Sequence, residues 1–224
     1  MIANATTFFS AGGDVDERAC AAHLDRLAVA GVGVFLGSPG SGECHSLSRA
    51  EFRRTCQFAV EVVAGRVPVY SMTPELHDLE LMLEYARIGA DAGVDEVQIF
   101  QLMGGHGMVP TRAEQQTYWE RVLGALDHPV ALSLHGIAGY LAPPDLVAEL
   151  CVRHPQVRTV YTYQSPPRYL LDLGEALPDG IRLGGHLVGG EQILMRGATI
   201  LTGAEPNLIP CLLYTSDAAD DLTR

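Results

Sequence analysis

Histidine moves protons near neutral pH and is a common ligand for divalent metals. Of the eight in this chain, His45, His106, His135 and His186 each follow a short apolar run: Val34-Phe35-Leu36, Val97 to Phe100, Pro129 to Leu134, and Ile181 to Gly184. Runs of this kind read as buried parallel strands. The four histidines then stand in the loops after four different strands, and such loops open on one face of an α/β barrel. Glu43 falls in the same ring. Tyr161 and Tyr163 alternate at the end of a further run and so share one face of it. A ring of this composition could hold a divalent metal, or act as acid and base. No HxH or HExxH spacing is present, and each histidine taken alone reads first as a solvated or hydrogen-bonded loop residue. His23, His77, His128 and His154 fall in expected helices or on the opposite side and read as surface groups.

A second group is built for anions. Gly37-Ser38-Pro39-Gly40-Ser41-Gly42-Glu43 follows the Val34 run and precedes Ser48-Arg49-Ala50-Glu51. Small residues let several backbone N–H groups converge on one anion. Ser48 and Glu51 have the spacing of a capping box that opens a helix. Strand, loop and capped helix make one βα unit, with its polar loop at the end of the sheet where ligands bind. Ser41 offers a hydroxyl and an N–H beside a glycine. The alternative is a tight turn that binds nothing.

The same alternation runs along the whole chain. Strands are expected at Ile2 to Phe8, Val34 to Leu36, Val67 to Tyr70, Val97 to Phe100, Pro129 to Leu134, Val157 to Tyr161, Ile181 to Gly184 and Ala198 to Leu201. Helices are expected from Asp14 or Asp16 to about Ala30, and over Glu51 to Ala64, Leu76 to Ala92, Arg112 to Leu126, Pro143 to Val152, Arg168 to Leu177 and Gln192 to Arg196. Eight strands alternating with helices predict the α/β class and a (β/α)8 TIM barrel, with a doubly wound open sheet as the alternative.

The loop after the second strand resembles that of the dihydrodipicolinate synthase / N-acetylneuraminate lyase family, whose signature is Gly-Thr/Ser-Thr-Gly-Glu followed by Leu-Ser/Asn-x-x-Glu. Here two residues are inserted before Ser41-Gly42-Glu43, and Leu47-Ser48-Arg49-Ala50-Glu51 supplies the second half. The resemblance runs in register from about Thr6 to Pro210. It implies a barrel in which Ser38, Ser41, Gly42 and Glu43 hold the carboxylate of a small pyruvate-type substrate, with Glu43 mostly bracing the loop; His186, from the histidine ring, is a further expected binding group. The resemblance further implies a homo-oligomer when the chain is full length.

The family works through an imine on a lysine at the end of strand six, with a tyrosine on strand five shuttling the proton. This chain departs at both positions. All fifteen basic residues are arginine, so no lysine imine can form. Tyr161 stands at the lysine position and Ser133 at the tyrosine position. The expected catalytic residues are therefore His135, Tyr161, His106 and Ser133. Arg168 could pair with a substrate carboxylate or be a surface charge. No cofactor is expected, a divalent metal on the histidine ring being the alternative. Three functions remain open: a 2-oxo acid lyase without an imine, a metal-assisted lyase or hydrolase, and a catalytically silent ligand-binding relative.

Composition narrows the class. With 47% apolar residues and 19% charged, the chain can bury a full core and is not disordered. A net charge of −12 disfavours nucleic acid or an anionic membrane as a general partner. No run approaches the roughly 18 apolar residues of a membrane span. Five scattered cysteines without a CxxC pair fit reduced thiols, and Met1 to Asn4 does not open a signal peptide, so the expected location is the cytoplasm. Residues 1–210 are expected to form one barrel domain lacking its last helix. From Cys211 onward the chain reads as a non-native tail resembling translated adapter sequence, and so as a truncated gene.

Overall fold

The computed structural model describes residues 2–74 and 78–185, and the backbone of 199–202. Eight strands follow one another around a ring: β1 Ile2–Asn4, β2 Gly33–Leu36, β3 Val69–Met72, β4 Glu96–Phe100, β5 Val130–His135, β6 Val157–Tyr163, β7 Arg182–Gly185 and β8 Thr199–Thr202. Each pairs in parallel with the next, and β8 pairs with β1 to close the barrel. The open-sheet alternative does not survive that last pairing. Helices α1 Glu17–Val29, α2 Arg49–Val63, α3 Leu79–Ala92, α4 Arg112–Gly124, α5 Pro144–Arg153 and α6 Pro167–Ala176 lie between the strands. The helix expected at Gln192 to Arg196 and the tail from Cys211 lie outside the described residues.

Local chemistry sets the helix starts. Ser48 accepts from the Glu51 N–H while the Glu51 carboxylate accepts from the Ser48 N–H, closing the expected capping box on α2. Thr111 and Glu114 close a second one on α4. Asp16 and Asp78 cap α1 and α3. Helices α5 and α6 instead open on Pro143-Pro144 and Pro166-Pro167, since proline fits the first turn without losing a bond.

Strand parity divides the core into two shells. Val34, Leu36, Val97, Ile99, Val130, Leu132, Leu134 and Val160 face the helices in one large apolar cluster. Phe35, Tyr70, Met72, Phe100 and Tyr161 fill the inside of the barrel. A shift of register at Arg158 keeps β6 consistent with this plan: Val130 pairs with Val157 but Ala131 with Thr159. The extra residue puts Val157 and Val160 outward together, and turns Thr159, Tyr161 and Tyr163 inward.

Several expected boundaries move. β1 ends at Asn4 rather than Phe8, because the chain turns and Phe9 forms an isolated antiparallel bridge with Val15. β3 begins two residues later than expected, and β6 runs on to Tyr163. Among the described residues, no helix is long and apolar enough to cross a membrane.

Candidate active site

Inward parity on β5 sends Ala131, Ser133 and His135 into the barrel in succession. Ser133 is opposite Tyr161 in the register, and His135 is opposite Tyr163. The Ser133 hydroxyl lies 2.8 Å from His135 Nε2. From β4, the Gln98 amide donates to the same hydroxyl at 2.8 Å. Phe100 and Tyr161 meet the His135 ring edge-on at 4.7 and 5.7 Å between centroids, and Tyr163 lies tilted to it at 5.3 Å. The imidazole is 6% exposed, and this burial lowers its pKa to about 4. His135 is therefore neutral at pH 7. Tyr161, 5% exposed, has its phenol pushed up by burial and then by Tyr163, so it stays a donor.

Two loop contacts fix this end of β5. Gln101, just past β4, donates to the carbonyls of His135 and Tyr140 at 3.0 and 3.1 Å. The Tyr140 hydroxyl returns a bond to the Leu102 carbonyl at 2.6 Å. Gly136 follows His135 directly, and a Cβ there would meet the Gln164 carbonyl oxygen at 2.3 Å. Only glycine allows the loops after β5 and β6 to pass so closely.

The glycine loop after β2 is ordered by its own serines. Ser38 is buried, accepts from the Gly42 N–H at 3.0 Å and sits 3.3 Å from the Ser41 hydroxyl. Thr7, past β1, donates its hydroxyl to the Gly42 carbonyl at 2.7 Å and its N–H to the Ser41 carbonyl at 3.0 Å. A Cβ on Gly42 would meet the Ser38 nitrogen at 2.4 Å. Glu43 takes a left-handed backbone, φ 48°, and its main chain bonds Gly40 and Ser46. Ser41 and Glu43 are half-buried, within reach of the mouth.

The rest of the expected ring is dispersed. His45 and His106 are exposed, His106 on a short turn, Gly105–Gly107, with φ 57°. Neither shares the buried setting of His135. His186 lies outside the described residues. Among the described residues, no group of three or more His, Cys, Asp or Glu is placed to hold a metal ion. Arg168 is a surface charge, 83% exposed and paired with Asp172 one turn on.

Two expected surface histidines are also corrected. His23 is buried under Phe8 on the inner face of α1, and its Nδ1 accepts from Arg26 at 2.9 Å. His154 is only 14% exposed and pairs with Glu120 at 2.9 Å. His77 lies outside the described residues.

Gln98 and Gln101 are not among the expected site residues, although one glutamine within an apolar strand and a second just past its end are visible in the sequence. The opposite end of the barrel also carries a polar group that no motif marks. There Arg182 pairs with the buried Glu96 carboxylate and reaches the Tyr70 hydroxyl at 3.4 Å. Burial raises the Glu96 pKa, against the pull of Thr159 and Arg182. A cavity lined by Tyr70, Gln98, Tyr161 and Arg182 lies between this pair and the Ser133 layer.

No family-wide sequence profile matches the chain. Individual relatives do. A protein named as a probable 5-dehydro-4-deoxyglucarate dehydratase of Streptomyces avermitilis is 37% identical over 93 residues, 42% of this chain and 28% of that protein. A 4-hydroxy-tetrahydrodipicolinate synthase of Salinibacter ruber is 24% identical over 224 aligned residues, 96% of this chain and 72% of that one. Among solved structures, a prophage protein of the dihydrodipicolinic acid synthase family from E. coli K12, in complex with pyruvate, superposes with a TM-score of 0.82. It is 22% identical, over 98% of this chain and 76% of its own. In sequence and in fold the chain is similar to proteins named as dihydrodipicolinate synthases. A dihydrodipicolinate synthase of Bacillus anthracis fits as well, at a TM-score of 0.83 and 18% identity over 100% of this chain and 76% of its own. At these identities the superpositions speak for the barrel.

Proposed function

We propose that this chain is a lyase or dehydratase acting on a small 2-oxo acid without an imine. The observation that carries the reading is the Ser133–His135 hydrogen bond at 2.8 Å, facing Tyr161 across the β5–β6 register. The family resemblance assigns its proton shuttle and imine lysine to these two strands. A pyruvate-type carboxylate is held by the Ser38–Gly42 loop. Ser133 and His135 take up a proton from the carbon next to the oxo group, and Tyr161 donates a hydrogen bond to the oxygen that becomes negative. A neutral imidazole and a protonated phenol are the states that such chemistry needs.

The dehydratase named in Streptomyces avermitilis and the pyruvate bound by the E. coli relative favour a 2-oxo acid as the substrate class. The test is turnover of a panel of 2-oxo acids, with and without a 3-deoxy sugar-acid chain, followed by proton NMR. Cleavage or dehydration of one member, lost in His135→Ala, is the expected result. No turnover of any member would leave the silent relative as the better reading. The homo-oligomer is part of the same proposal and is read by sedimentation.

A further inference from the structure

Gln98 lines the cavity between Arg182 and the Ser133 layer. It is 2% exposed, inward on β4 between Glu96 and Phe100, and opposite Ala131 in the register. A buried amide in an aromatic layer is costly unless its hydrogen bonds are made, and leucine or methionine would fill the space. Its amide nitrogen is 2.8 Å from the Ser133 oxygen, and Ser133 is 2.8 Å from His135 Nε2. Ser133 itself is fully buried.

These two contacts place one proton and narrow the other to two arrangements, because the Ser133 oxygen has two lone pairs and either donates to Nε2 or accepts from it. An amide N–H can only donate, so the Ser133 oxygen accepts from Gln98. The single Ser133 proton is then free to point at the ring nitrogen, and it can do so only if that nitrogen carries no proton. We propose that Gln98 is a positioning residue that holds Ser133 as a donor to His135 Nε2, so that the imidazole carries its proton on Nδ1.

The consequence for chemistry rests on the lyase reading above. With Nε2 as the acceptor, the Ser133 hydroxyl takes the substrate proton as its own passes on to the ring. The C–H bond of the substrate and the original Ser133 O–H break, and a new O–H and an Nε2–H form. The products are an enolate and an imidazolium. With the opposite tautomer, Nε2 is already protonated and the transfer has no terminus.

The experiment uses the full chain with 15N-labelled histidine, and reads both ring nitrogens of His135 by long-range proton–nitrogen NMR at pH 7 without substrate. The His135→Gln variant assigns the signals. The wild type is expected to show a protonated Nδ1 and a bare Nε2; a protonated Nε2 overturns the inference. Gln98→Met keeps the shape without the amide and is expected to divide the proton between the nitrogens. It should also lower kcat on the order of tenfold while KM moves by less than about twofold. A tautomer unchanged in Gln98→Met overturns the inference. If that variant does not fold, Gln98→Asn, whose shorter amide falls short of Ser133, carries the same two outcomes. The nitrogen shifts need no turnover. An inactive protein with the expected tautomer contradicts the lyase reading alone, and an active one with a protonated Nε2 contradicts this inference alone.

Discussion

His135 is held neutral by burial, with a pKa near 4. Turnover should therefore be flat through neutral pH and fall on an acid limb near pH 4, where the ring protonates; a limb at the ordinary 6.5 contradicts the buried placement. His135→Ala should lower kcat by about 10²- to 10⁴-fold with ligand binding largely kept, whereas Ser41→Ala should mainly weaken binding. Calorimetric titration beside steady-state kinetics separates the two effects. His23, buried and beside Arg26, is likewise lowered to about 4. Both folded-state values lie below the unfolded 6.5, so the unfolded chain binds more protons between pH 6.5 and 4. Stability is full above 6.5 and declines toward 4, by about 1.4 kcal/mol per pH unit for each group. Urea melts at pH 7 and pH 5 check this, and His23→Leu should remove its share of the difference. His135 was expected from its place after an apolar run and Ser133 only from the family resemblance; both face inward on β5. His106 does not join them, because a loop residue's exposure depends on a turn, here one with φ 57° at His106 itself.

Elements were the most legible scale. Apolar runs marked the strands, and Ser48-x-x-Glu51 marked the cap of α2, which begins at Arg49, two residues before the expected Glu51. What escaped is what depends on neighbours. The register shift at Arg158 has no local signature, yet it decides that Tyr161 and Tyr163 face inward. The two-residue insertion left the glycine loop's geometry open, and the structure closes it with Thr7 and Ser38. Gly42→Ala pushes a Cβ against the Ser38 nitrogen, 2.4 Å away. It should cost about 1–3 kcal/mol as an overpacked site and abolish carboxylate binding; a normal melt with normal binding contradicts the loop's role. Ser48→Ala, on the far side of the same loop, should cost only about 1 kcal/mol through the lost cap, with binding unchanged.

At the scale of the molecule, the alternation of strands and helices made the barrel legible, because each apolar run had to be covered on its outer face by a helix. Its interior was less so. Glu96 and Arg182 are far apart in sequence and meet only because β4 and β7 point into the same ring. The absence of lysine from the whole chain is the fact on which the chemistry turns. Borohydride added with pyruvate should leave no mass adduct on any internal side chain, an adduct at the α-amino group not counting; a reducible internal adduct would restore the imine. The described thiols, Cys20, Cys44, Cys56 and Cys151, are all buried and unbridged. Burial holds Cys56 and Cys151 up at about 12, so the native protein should react slowly with a thiol reagent. The central claim is that Ser133 and His135 remove a proton from a 2-oxo acid without an imine. Proton NMR of pyruvate in heavy water, with wild-type protein and with His135→Ala, measures that removal directly as deuterium entering the methyl group. The wild type is expected to catalyse exchange that is insensitive to borohydride and lost in His135→Ala. Exchange that survives in His135→Ala, or exchange that borohydride abolishes, contradicts the claim.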